Sequence, residues 1–128
     1  MIAGIGIDLI EIEKIAENLQ SEIYLRKVFT DAEIQECRSI ANSVEQFAGK
    51  FAAKEACMKA AGKGIRQGAW FTQIEVLKEE SGAPAIRVSS EMEFSMQALG
   101  VTKIHISVTH TRTTAAAVVI LEKPDDTS

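Results

Sequence analysis

The chain has 128 residues, about one domain's worth, and a length that buries a core without disulfide staples. With 46% hydrophobic and 25% charged residues it is neither a disordered tail, a collagen-like repeat nor a cysteine scaffold. Its 14 basic and 18 acidic residues leave a net charge of −4, which disfavours general nucleic-acid binding, since counterion release needs a basic face.

Residues 2–10 alternate with period two and read as a strand. Ile5, Ile7 and Leu9 share one face, while Gly4, Gly6 and Asp8 share the other. From Glu11 to about Ile40 the pattern turns helical and charged, with a capping box at Thr30-x-x-Glu33. Ser43-x-x-Gln46 opens a further helix that runs to Ala61 and stops at Gly62. A basic, glycine-rich loop follows, Gly62-Lys63-Gly64-Ile65-Arg66. Strands are expected over about 71–78 and 85–88 around a Gly82-Ala83-Pro84 turn. Ser90-x-x-Glu93 caps a short helix ending at Gly100, and strands over about 103–109 and 114–121 close the chain as a hairpin. Strands at both ends with most of the helix between them point to an α+β fold.

Cys37 and Cys57 have no metal or redox spacing and read as small apolar residues of a reducing compartment. No run approaches the ~20 apolar residues needed to span a bilayer, and the first ten residues carry no positive leader. A cytoplasmic protein without membrane or nucleic-acid partners is expected.

The helix over 43–61 carries charges on its apolar stripe. At about 100° per residue, Val44, Phe47, Phe51 and Met58 share an arc that contains or borders Lys54 and Glu55, with Lys59 further along. Ionised groups near a core face are costly without a partner, metal or ligand. The plain alternative is a solvated i,i+4 pair between Glu55 and Lys59. Asp8 reads either as a turn residue or, with Glu55, as one of the two carboxylates that Mg²⁺ favours beside phosphate and water. The loop after Gly62 is neither a Walker loop nor a dinucleotide fingerprint. It reads as a helix C-cap with surface lysine or as a nest for phosphates. His105 faces away from Ile104 and Ile106, and His110 sits in a polar turn with Thr109 and Thr111.

Taken together, Gly4-Ile-Gly-Ile-Asp8, Gly49-Lys-Phe-Ala-Ala-Lys-Glu-Ala56 with Lys59, and Ile106-Ser-Val-Thr-His-Thr111 resemble the holo-[acyl-carrier-protein] synthases. These are the short phosphopantetheinyl transferases, and the likeness extends to Gly62-Lys-Gly-Ile65 and Gly82-Ala-Pro84. The resemblance implies a 4′-phosphopantetheinyl transferase fold over residues 1–123, with 124–128 a frayed tail. It implies a single-copy subunit with a mainly antiparallel sheet packed on helices, assembling as a homotrimer with the site at the subunit boundary. The implied reaction moves phosphopantetheine from coenzyme A to a serine of apo acyl carrier protein and releases adenosine 3′,5′-bisphosphate.

Carried over by position, Asp8 and Glu55 ligate Mg²⁺, Glu55 is the candidate base, and Lys59 neutralises the phosphates. Lys50, Gly62, Pro84, His110 and Thr111 are implied coenzyme A contacts, the last two at the 3′-phosphate. The glycines beside Asp8 are expected to leave room for metal and pyrophosphate. The chain departs from the family in having Lys14 and Lys50 where arginine is usual, and an acid-rich first helix with Glu11, Glu13, Glu17 and Glu22. Lys14, Arg26 and Lys27 are therefore the expected docking residues for the acidic carrier. The alternative is a non-catalytic trimeric module that binds coenzyme A or a nucleotide.

Overall fold

The computed structural model describes residues 1–62 and 70–125. Strand β1 (Ile2–Glu11) leads into three short helices, α1 (Ile12–Asn18), α2 (Glu22–Val28) and α3 (Asp31–Arg38). The long helix α4 (Ser43–Ala60) follows, and a 3₁₀ turn (Phe71–Gln73) enters the hairpin β2 (Ile74–Lys78) and β3 (Pro84–Val88). Helix α5 (Ser90–Ala98) and the hairpin β4 (Lys103–His110) and β5 (Thr114–Glu122) complete the described chain. The three-stranded sheet runs β1-β5-β4 and is antiparallel throughout, as is the separate β2-β3 ribbon. The α+β reading therefore holds. The capping box at Thr30 starts a new helix as its spacing predicts, and the stretch before it is broken once more at Ser21, which caps α2.

Helix α4 is the axis of the molecule. Ala48, Ala52, Ala53, Ala56 and Ala60 let neighbours approach its backbone closely, and alanine is also the best helix former. One apolar cluster lies between α4, the sheet and α5, centred on Met58, Met92, Val119 and Leu121. A second lies between α4 and helices α1–α3, centred on Ile15, Phe29, Ile34 and Phe47. Cys37 and Cys57 are buried free thiols within these cores, and burial pushes both up to about 12.

Two of the three expected capping boxes do not form. Thr30 and Glu33 make theirs in full. At α4 neither Ser43 nor the N-cap Asn42 caps through its side chain, and at α5 the free Met92 amide is taken by Gln73 Oε1 at 2.8 Å instead. A tertiary donor–acceptor pair satisfies the helix end as well as a local one, and local spacing does not reveal it.

The first strand corrects a larger expectation. Its Gly4, Gly6, Asp8 face packs inward on α4, and its apolar face is the open one, with Ile5, Ile7 and Leu9 63%, 68% and 70% exposed. The glycines do not clear room for a ligand. A Cβ on Gly6 would stand 1.9 Å from the Ala56 carbonyl oxygen, and one on Gly4 would stand 2.0 Å from that of Ala60. The room is filled by helix backbone.

Candidate active site

That close approach sets the geometry of the site. Gly6 lies against Ala56 and Ala60, so Asp8, two residues further along the same strand face, lands beside Glu55 and Lys59. Asp8 is 8% and Glu55 9% exposed, and Asp8 stands close enough to Glu55 to raise its carboxyl. Lys59 Nζ donates to Asp8 Oδ1 at 3.0 Å and to the Ile7 carbonyl at 3.1 Å. The i,i+4 reading of Glu55 with Lys59 gives way to this cross-element contact with the strand.

The corner is short of positive charge. The lysine in direct contact with this pair of buried carboxyls, through Asp8, is Lys59, whose side chain is 44% exposed. Asp8 Oδ2 is buried with no hydrogen-bond partner. Burial, the contact with Asp8 and the Asp8 charge push the Glu55 carboxyl up to about 8, against the pull of Lys59 and Lys14. A buried acceptor without a donor normally costs free energy. It is explained if a cation completes the corner. The donor set fits a hard divalent ion such as Mg²⁺, which takes one or two protein carboxylates and leaves its other positions to water and phosphate. Among the described residues no larger cluster of metal-ligating side chains is present.

The two buried lysines of α4 are each fully partnered. Lys54 is completely buried, pairs with Glu33 Oε1 at 2.8 Å, donates to the Phe71 carbonyl at 2.7 Å and also bonds the Ile74 carbonyl. Lys50 pairs with Glu36 and donates to the Val76 carbonyl. Lys54, placed on the reactive stripe by helical periodicity, therefore belongs to the scaffold.

Lys50 also lines a cleft of about 200 Å³ with Gln46, Val76, Lys78, Pro84 and His110. Three of the expected coenzyme A contacts, Lys50, Pro84 and His110, thus meet in one place. His110 Nδ1 hydrogen-bonds the Thr111 carbonyl at 3.1 Å. Thr111 lies off the cleft wall, and its Oγ1 accepts from the amides of Thr113 and Thr114, stabilising the β4–β5 turn. Gly62 closes α4 with φ +74°, away from the cleft lining. The rest of the glycine-rich loop, Lys63 to Gly68, lies outside the described residues. On α4, Lys50 and Glu55 are five residues apart, about 140° around the helix, so cleft and carboxyl corner open on different faces.

Of the expected docking residues, Lys14 lies close enough to Glu55 for its charge to draw that carboxyl down, and Lys27 is exposed. Arg26 is already held by Glu22 at 3.2 Å and Asp31 at 2.5 Å. Sequence reasoning missed Glu33 and Glu36 as lysine partners, and it missed Tyr24. The Tyr24 ring packs on Phe29 and Phe51, its hydroxyl is buried without a partner, and burial pushes it up to about 12.

Residues 4–119 match the family model of the 4′-phosphopantetheinyl transferase superfamily. A holo-[acyl-carrier-protein] synthase of Koribacter versatilis (strain Ellin345) is 44% identical over 124 residues, covering 95% of this chain and 99% of the relative. Crystal structures of two such synthases superpose closely. That from Neisseria meningitidis has a TM-score of 0.86 at 29% identity, covering 96% of this chain and all of the other. That from Bacillus anthracis str. Ames, in complex with CoA (3′,5′-ADP), has a TM-score of 0.80 at 33% identity, covering 97% and 99%. By sequence along nearly its whole length, and by the fold that brings Asp8 to Glu55, the chain belongs to the 4′-phosphopantetheinyl transferase superfamily.

Proposed function

We propose that the protein is a holo-[acyl-carrier-protein] synthase. It transfers 4′-phosphopantetheine from coenzyme A to a serine hydroxyl of apo acyl carrier protein, releasing adenosine 3′,5′-bisphosphate, in support of fatty acid biosynthesis. The observation that carries the reading is the under-compensated Asp8–Glu55 pair beside Lys59, next to a helix whose buried lysines Lys50 and Lys54 are each paired with a carboxylate.

Phosphoryl transfer asks a protein chiefly for positioning and charge stabilisation. Asp8 and Glu55 would hold Mg²⁺, which when bound supplies Lewis-acid stabilisation of the phosphoryl oxygens. Lys59, fixed by Asp8 but still half-exposed, offers its ammonium to the pyrophosphate. Glu55, at the same corner, is the candidate base for the serine proton. The cleft lined by Lys50, Pro84 and His110 takes the nucleotide end of coenzyme A. In this reading Gly62 contributes at the end of α4 and Thr111 at the end of β4. Lys14 and Lys27 steer the acidic carrier, with Arg26 contributing less because two acids already hold it.

The subunit assembles as a homotrimer in this reading. The open face of β1, continued by Ala116, Val118 and Ile120 on β5, is an apolar surface of the kind that marks an interface. The cleft and the carboxyl corner face different ways from α4, so a neighbouring copy is needed to bring one to the other. Among the described residues no helix is long and apolar enough to cross a membrane, and the two free thiols suit a reducing cytoplasm.

The test is a mass spectrum of apo acyl carrier protein incubated with the protein, coenzyme A and Mg²⁺. A gain of about 340 Da, one phosphopantetheine group, is expected. Coenzyme A binding with no gain on any carrier tried would favour a non-catalytic binding module instead.

A further inference from the structure

Among the described residues the β2–β3 ribbon has an edge that no strand covers, because β2 pairs there with β3 alone. Alternate residues of an antiparallel strand turn their backbone groups away from the partner, and in β2 these are Ile74, Val76 and Lys78. Side chains from α3 and α4 meet them in turn. Lys54 Nζ bonds the Ile74 carbonyl, and Glu33 Oε2 accepts the Val76 amide at 2.8 Å. Lys50 Nζ bonds the Val76 carbonyl, and Glu36 Oε1 accepts the Lys78 amide at 3.0 Å. The same four side chains pair with each other as Lys54–Glu33 and Lys50–Glu36. Two rungs of opposite charge thus stand where a neighbouring strand would be.

The placement matters because these rungs join the two walls of the cleft. One wall is α4, through Gln46 and Lys50, and the other is the ribbon, through Val76, Lys78 and Pro84. A two-stranded ribbon is only marginally stable by itself, so its distance from α4 is set by what ties it there. Stability alone is a poor account of a buried ion pair, since apolar residues of similar volume often serve as well. A hydrogen-bonded rung fixes register and spacing, which apolar packing fixes less sharply.

We propose that Glu33, Glu36 and Lys54, none of which lines the cleft, are positioning residues for coenzyme A: through Lys50 and the β2 backbone they set the width of the cleft. The inference rests on the reading of this cleft as the coenzyme A site. It gives Lys50 a role beyond direct contact, because its ammonium is engaged by Glu36 and Val76 and its stem is left to face the cleft.

Glu36 is the rung member to change, since it is 21% exposed, and its loss leaves the buried Lys50 ammonium with the Val76 carbonyl alone. In the full-length Glu36→Ala variant, the Kd and KM for coenzyme A are expected to rise about tenfold, with kcat within about twofold, as for a mispositioned binding wall. Hydrogen exchange at the Lys78 amide should accelerate in the same variant. Glu36→Gln keeps an acceptor for that amide and should recover most of the affinity, which a role in bulk stability would not require. Coenzyme A affinity unchanged in Glu36→Ala, or kcat lowered with KM unmoved, would overturn the inference. Wild-type protein that neither binds coenzyme A by calorimetry nor modifies a carrier would overturn the reading beneath it instead.

Discussion

Helix α4 carries two kinds of charge within three turns, and the contrast between them separates scaffold from chemistry. At Lys50 and Lys54 each ammonium meets a carboxylate and at least one backbone carbonyl, and Glu33 and Glu36 each receive a backbone amide as well. Burial pushes the Glu36 carboxyl up, but the bonds from Lys50 and the Lys78 amide outweigh it and hold it below the usual range. Those rungs are electrically neutral and complete. At Glu55 and Lys59 the balance fails: the lysine in direct contact with the pair of carboxyls is half-exposed, and one buried oxygen has no donor. Native interiors rarely tolerate such a group without a further partner. The incomplete corner is therefore where a cation and a phosphate are expected to arrive, and the complete rungs hold the walls around them.

The largest effect expected from this contrast is on turnover. Asp8→Asn and Glu55→Gln should each lower transfer by about a hundredfold or more, by removing charge that acts in the transition state. Glu55→Gln should leave the melting temperature in metal-free buffer unchanged near neutral pH and raise it above about pH 8, where ionised Glu55 meets the Asp8 charge. A melting temperature that fell in step with activity would make the corner structural. The opposite pattern is expected at the rungs. Lys54→Met strands the buried Glu33 carboxylate and should cost about 3–5 kcal/mol by chemical denaturation. Retention of wild-type stability would show that the rung carries little.

Gly6→Ala sharpens the contrast from the strand side. Its Cβ would meet the Ala56 carbonyl oxygen at 1.9 Å, so β1 must shift from α4. A loss of about 2–3 kcal/mol is expected from overpacking, with weakened metal dependence because Asp8 moves away from Glu55. The smallest effect concerns docking. Lys14→Glu should raise the KM for carrier protein several-fold, because a rim charge acts mainly on association. An unchanged KM would remove Lys14 from the docking surface.

Much of this was legible in the sequence, for reasons that can be named. Asp8, Glu55 and Lys59 stood out because two glycines and an apolar stripe framed charged residues, and the strand and helix bounds followed from period and from Gly62, Gly82 and Gly100. The resemblance supplied the reaction. The partnership of Lys54 with Glu33 was not legible, because Glu33 sits at the third position of a capping box and was read as a cap. It serves both ends at once, one oxygen taking the Thr30 amide and the other the Val76 amide. Nor could the strand alternation show which face of β1 turns inward. The apolar face is the usual choice, but only glycine permits an approach as close as that of Ala56 and Ala60, and the open apolar face is left for a partner.

The sign of the pH dependence follows from Glu55. Its folded value, about 8, lies above the ordinary carboxylate range, so it favours the fold at low pH. That contribution is lost as pH rises through about 8 in the absence of a cation. A cation that binds ionised Glu55 must displace its proton. The most direct test is therefore a calorimetric titration of Mg²⁺ into the wild-type protein with coenzyme A at pH 7, repeated in buffers of different ionisation enthalpy. Binding with proton release that disappears in Glu55→Gln is the predicted result. Mg²⁺ binding equally well to Glu55→Gln, with no proton released by either protein, would contradict the claim that this corner is the incomplete one.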